Sequence, residues 1–268
     1  MLNRLVVAFL LSAVVIALAL RRGSLSRSGA AGAMVVGTLI VGLGGWAWGI
    51  LLGIFFVSSS LLSHYKEEEK QATAEKFEKG HRRDAGQVVA NGGLGAIAAT
   101  LSAFAPSPLW LPLFVGAMAA VTADTWATEL GTLSRRPPRL ITTGRAVEVG
   151  TSGGISLLGT GVSLLGGLSI GLAAGLLVEQ FTVGQAALIG MFGGLAGSLF
   201  DSLLGATVQQ VYYCDVCGKE TERKIHRSRH QTRPLRGWSW LNNDLVNLAA
   251  SIVGGVTAVA LYRLLTPG

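Results

Sequence analysis

The chain has 268 residues, of which 50% are hydrophobic and only 14% charged, with a mean hydropathy of +0.51. A soluble domain carries about 25% charged residues, and here the charges gather into loops between long uncharged runs. That pattern excludes an ordinary soluble domain and predicts an all-α, polytopic transmembrane helix bundle, read as a single membrane domain over 1–268. The net charge of +7 falls in those loops, so it reads as topology and headgroup contact and not as nucleic-acid binding.

In chain order, the apolar run 5–20 follows Arg4 and ends at Arg21-Arg22; it predicts a retained first span. The next apolar stretch, 29–62, would be about 51 Å long as one helix, well beyond a hydrocarbon core of about 30 Å. Gly42-Leu43-Gly44-Gly45 offers a break, so two short spans or a re-entrant hairpin are expected. The polar segment 64–84 holds six basic and six acidic residues and reads as a solvated amphipathic helix. Spans are then expected over 87–104, 109–122, 151–178, 184–209 and 243–265, giving about seven or eight in all. Six Lys or Arg in 64–84, four in 132–152 and seven in 212–241, against none in the turns 105–108 and 179–183, place the three basic loops on the cytoplasmic side. A bacterial-type cytoplasmic membrane is the expected location. Glycine, at 37 residues, permits close helix packing or local unwinding around a ligand.

The chemistry points to that same face. Asp124 and Glu129 follow the apolar start of the segment 113–131, and a carboxylate at such depth costs on the order of 3 kcal/mol unless it is paired. Asp201 lies inside an apolar period, with Gly205 and Gln209 on its helix face at i+4 and i+8. Asn242, Asn243, Asp244 and Asn247 open the last span; Asn242 or Asn243 also reads as an N-cap. Carboxylates and amides converging in this way suit Mg²⁺, with Asp124, Asp201, Glu129, Asn243 and Asp244 as candidate ligands. The run Gly150-Thr151-Ser152-Gly153-Gly154 precedes a span, so its N–H groups suit a phosphate, although it also reads as a plain loop-to-helix connection. Gln87 and Asn91 occupy one helix face after Arg82-Arg83. The two cysteines, Cys214 and Cys217, with His226 and His230 resemble a compact structural zinc arrangement of short central spacing, a metal-free reduced loop being the alternative.

These same stretches resemble a widespread integral membrane family that includes the chloroplast phytyl-phosphate kinase and the animal transmembrane protein 19. The resemblance is carried, in order, by Arg82-Arg83-Asp84-Ala85-Gly86-Gln87-Val88-Val89-Ala90-Asn91, Ala123-Asp124-Thr125-Trp126-Ala127-Thr128-Glu129-Leu130-Gly131, Thr151-Ser152-Gly153-Gly154, residues 197–209 and Trp240-Leu241-Asn242-Asn243-Asp244. It implies a CTP-dependent lipid kinase that converts an isoprenoid monophosphate such as phytyl phosphate to the diphosphate with Mg²⁺. The family is also distantly similar to dolichol kinase and phosphatidate cytidylyltransferase. On that reading Asp124, Asp201, Arg82 and Arg83 are the catalytic candidates, and Asn91, Arg145, Thr151, Ser152, Gly153, Gly154, Ser198 and Gln209 the nucleotide- and phosphate-binding ones. A CTP-using cytidylyltransferase and a transporter or flippase of an anionic lipid or small anion are the alternatives. The oligomeric state is open, a homodimer included.

Overall fold

The computed structural model describes residues 2–66, 69, 82–225 and 230–266. Among them the chain forms eight helices: α1 (Leu2–Arg21), α2 (Arg27–Leu39, prolonged by a π-turn over Ile40–Gly44), α3 (Trp46–His64), α4 (Ala85–Phe104), α5 (Trp110–Gly131), α6 (Leu157–Leu177), α7 (Val183–Thr207) and α8 (Asn243–Leu265). Seven of them, all but α5, are long and apolar enough to cross a membrane. The expected amphipathic segment 64–84 lies almost wholly outside the described residues.

The expected break in 29–62 is present. The π-turn ends at Gly44, and Gly45 adopts φ +103°, a left-handed conformation that suits a residue without Cβ. Breaking a helix in hydrocarbon strands its carbonyls. Arg4 of α1 supplies the missing donors, its Nε bonding the Gly42 carbonyl at 2.6 Å and its Nη2 the Leu43 carbonyl at 2.9 Å.

The remaining helix, α5, is the centre of the bundle. From 111 to 123 every residue of α5 except Leu113 is buried, because α3, α4, α6, α7 and α8 all pack around it. A helix sheathed by others does not meet lipid and can carry polar residues at one end. It also runs unbroken to Gly131, so Asp124 sits a turn and more inside the helix and not at its tip.

Glycine seams set the approach of the surrounding helices. Along α6 and α7, Gly167 and Gly171 face Gly190, Gly194 and Ala186; α5 and α8 meet at Gly116, Gly254 and Ala258. A Cβ added at Gly190 would lie 2.6 Å from the Gly171 Cα, so backbone and not a flexible side chain blocks it.

The loops contain small sheets that the helical reading does not anticipate. β1 (Arg139–Leu140) pairs antiparallel with β2 (Gly154–Ile155). β3 (Val211–Cys214), β4 (Lys219–Thr221) and β5 (Arg233–Arg236) form an antiparallel sheet in the order β4-β3-β5. Alternation of buried and exposed residues is too short in these strands to be visible in sequence.

Gly190→Val is expected to cost about 1–3 kcal/mol of stability through overpacking and to lower the thermal transition in detergent. Gly184→Ala, which meets nothing within 4 Å, serves as the control and leaves the transition in place.

Candidate functional site

A cavity of about 270 Å³ opens at the end of the bundle where the basic loops emerge. Six helices and the loops contribute polar groups to it: Ser63 from α3, Gln87 and Asn91 from α4, Asp124 and Glu129 from α5, Thr160 and Ser163 from α6, Ser198 and Asp201 from α7, and Asn243 and Asn247 from α8. Thr151, Ser152, Gly153 and Gly154 form one wall, with Gln209 and Glu222 beside them.

Each group is set by local structure. Asp84 caps α4, its side chain accepting from the Gln87 N–H at 3.0 Å while the Gln87 amide oxygen accepts from the Asp84 N–H. This capping box fixes Arg83 just outside the helix. The backbone of Arg83 is tied on both sides to the turn between α1 and α2, through Ser24 O and Ser26 N. Its guanidinium donates to Ser60 Oγ at 3.0 Å and stands 5.6 Å over the Phe56 ring. Burial pulls the guanidinium below its ordinary pKa, and the Glu129 carboxylate opposes that shift. Glu129 accepts from Ser63 Oγ at 2.8 Å.

Asp201 is the least compensated member. Its Oδ2 is buried and has no hydrogen-bond partner among the described residues. A buried carboxylate oxygen without a donor is strongly unfavourable unless a cation or a ligand proton meets it. The helix that carries it ends at Thr207, and Gln209 lies just beyond that end, its N–H turned back to Leu204 O at 2.9 Å. The expected i, i+4, i+8 face therefore holds in space although its last member is not helical.

The glycine run differs from its expected form. It does not lead straight into a helix: β2 and the N-cap Ser156 intervene before α6. The Thr151 and Gly154 amides bond within the loop, to Glu148 O and Thr151 O, so neither is open to a ligand. Gly153 has φ +86°, and a Cβ there would lie 2.5 Å from the Ala206 backbone nitrogen, so the loop is pressed onto the last turn of α7.

The structure gathers most of the expected residues on one cavity wall but not Arg82, Arg145 or Asp244, none of which lines it. Arg82 and Arg145 are exposed on the surface. Asp244 lies in the first turn of α8, where Asn242, not Asn243, is the N-cap. Cys214 is buried in β3 and Cys217 follows in the turn, both as free thiols. Burial raises the Cys214 thiol pKa, but hydrogen bonds from Cys217 and from the Val216 backbone outweigh it and leave the thiol lowered. Among the described residues no three His, Cys, Asp or Glu side chains cluster as metal ligands; His226 lies outside those residues.

Glu222 is the member that sequence reasoning misses. It sits directly after β4, in a loop dense in charge, where nothing distinguishes it from Glu220. Its Oε1 accepts from Ser152 Oγ and from Gln209 Nε2, both at 2.9 Å. Arg236 of β5 supports the same corner, donating to Gly205 O at 2.6 Å and to Ser152 O at 3.3 Å. A Cβ on Gly237, at φ +88°, would run into the Gln209 carbonyl.

The fold and site define a polytopic integral membrane protein with a carboxylate-lined polar cavity at one end of its bundle. The chain belongs to the family described as integral membrane protein DUF92, whose model matches residues 10–255. It is 34% identical over 260 residues to an uncharacterized membrane protein of Methanocaldococcus jannaschii, covering 97% of this chain and 94% of that one. It is 31% identical over 287 residues to Protein PGR of Arabidopsis thaliana, covering 97% and 98%. It is 28% identical over 244 residues to Protein VTE6, chloroplastic, of the same plant, covering 89% of this chain and 66% of that one. No solved structure matches the chain.

Because Asp201 Oδ2 lacks a partner among the described residues, Asp201→Asn is expected to raise the thermal transition of the cation-free protein in detergent, by about 1–3 kcal/mol in stability. A lowered transition would show that Asp201 is structurally satisfied.

Proposed function

We propose that this protein is a membrane phosphotransferase that converts an isoprenoid (phytyl-type) monophosphate to its diphosphate, with CTP as donor, at the cytoplasmic face. The observation that carries this reading is Asp201, whose buried Oδ2 is orphaned and which lines, with Asp124, a cavity that also holds phosphate-type donors. The resemblance to a family that includes a phytyl-phosphate kinase supplies the substrate class. The concentration of Lys and Arg in the loops around the cavity mouth supports the cytoplasmic orientation.

The residues fit a divalent cation: two carboxylates from different helices, with the amide oxygens of Asn243 and Asn247 nearby, are hard oxygen donors of the kind that hold Mg²⁺ together with substrate phosphates. Asp124 and Asp201 would hold it, and it would supply neutralisation of phosphate charge. Ser152 and Gly153 offer hydrogen-bond donors to phosphate oxygens. Arg83, fixed by Ser60 and the Phe56 ring, presents a cation to the phosphates. No protein nucleophile is required, because the acceptor phosphate is already ionised; one of its oxygens attacks the terminal phosphorus of the nucleotide in line. Positioning and charge neutralisation do the rest. On this reading the prenyl chain stays in the bilayer, with only its phosphate entering the polar site.

Cytidylyl transfer is the second reading, since the same carboxylates and donors serve it. Purified protein in detergent, given Mg²⁺, labelled CTP and a panel of prenyl phosphates, separates the two. Release of CDP with formation of a lipid diphosphate is the expected result, and pyrophosphate release identifies cytidylyl transfer. Movement of an anionic lipid in liposomes without nucleotide turnover would instead make the protein a transporter. Asp124→Ala and Asp201→Ala are each expected to lower turnover by about 10²–10³-fold, the scale of losing one preorganised electrostatic contact.

A further inference from the structure

The carboxylate of Glu222 occupies a position that suits a ligand. Its Oε1 takes one hydrogen bond from the Ser152 hydroxyl and one from the Gln209 amide, each 2.9 Å long. Gln209 is only 2% exposed, so this amide is a built donor and not a surface group. Ser152 belongs to the glycine loop, which is held in place from behind by Arg236. A hydroxyl and a buried amide N–H converging on one oxygen anion beside a glycine loop are the elements of a phosphate subsite.

Glu222 also lies in the same cavity as Asp124 and Asp201. Three carboxylates brought together repel one another, and Glu222 is held there by the Ser152 and Gln209 donors. It comes from the loop sheet, outside the helices, and is the one acid of the three not fixed by a membrane helix.

We infer that Ser152 and Gln209 form an anion subsite that Glu222 plugs in the ligand-free protein, and that an incoming phosphate displaces Glu222 and loosens the end of β4. The ligand is a phosphate oxygen, from either the nucleotide or the lipid monophosphate. This inference deepens the phosphotransfer reading, which supplies the choice of probes, but it concerns binding alone.

The test uses the full chain in detergent with Mg²⁺, and two probes measured by equilibrium binding: inorganic pyrophosphate, standing for the nucleotide, and a short-chain prenyl monophosphate, standing for the lipid. Glu222→Gln removes the competing charge and is expected to tighten binding of one probe by about tenfold, the size of one removed like charge in a partly buried site. Ser152→Ala weakens the same probe several-fold. The probe that responds identifies the source of the phosphate. Glu222→Asp, which keeps the charge but shortens its reach, gives a smaller tightening and covers the case in which Glu222→Gln does not fold. In the unaltered protein, the responding probe raises hydrogen exchange over residues 219–224. If Glu222→Gln and Glu222→Asp both weaken binding or leave it unchanged for both probes, Glu222 is a ligand or a structural clasp and the inference is wrong. Tightened binding without any nucleotide turnover keeps the plug and rejects the kinase reading; CDP formation with unchanged binding in the Glu222 variants does the reverse.

Discussion

A carboxylate carried into a bundle built for hydrocarbon has to be matched, and Asp201 is the point at which this requirement is least relieved within the protein itself. Its Oδ2 has no donor among the described residues, while the neighbouring Glu129 has Ser63 and the charge of Arg83. The architecture around the cavity can be understood as the means of keeping such a group in the membrane. α5 is enclosed by five other helices, so its own acid at Asp124 never faces lipid. α7 delivers Asp201 close to the bundle end, where loops and water lie within reach, and not at mid-bilayer, where the cost is greatest.

Close helix packing is what makes this enclosure possible. Small residues on α5, α6, α7 and α8 let backbones approach until a single Cβ would collide. Between apolar helices in lipid there is little hydrophobic gain from association, so dispersion at short range and backbone approach carry it. The same seams align the ends of α5, α7 and α8, which places Asp124, Asp201 and Asn243 around one cavity. Packing and site therefore share a cause.

The loops complete the cavity, and they do so by hydrogen bonds to backbone. Arg236 bonds the carbonyls of Gly205 and Ser152, and Gln210 N–H bonds Leu241 O at 2.9 Å. Those contacts turn the third basic loop from a connection into a wall, and they put Glu222 opposite the membrane carboxylates. Arg4 does comparable work at the α2–α3 break, where a side chain far away in sequence bonds carbonyls that the interrupted helix leaves open.

The sequence by itself determined the helical membrane class and the break near Gly45, and singled out Asp124, Asp201, Asn91, Ser152 and Gln209, because hydropathy, helical period and the rarity of embedded polar residues are local signals. It pointed to the last span at 243–265, which the structure reproduces as Asn243–Leu265. Only the tertiary structure decided that α5 is central, that Arg82, Arg145 and Asp244 stand off the cavity wall, and that Glu222 stands on it. Whether a helix faces lipid or other helices depends on neighbours far away in the chain, and an acid in a charged loop looks the same whether it meets water or is folded back onto Ser152 and Gln209. The short strands that fold it back are held by pairing between segments up to twenty-five residues apart, and such pairing leaves no periodic trace in either segment.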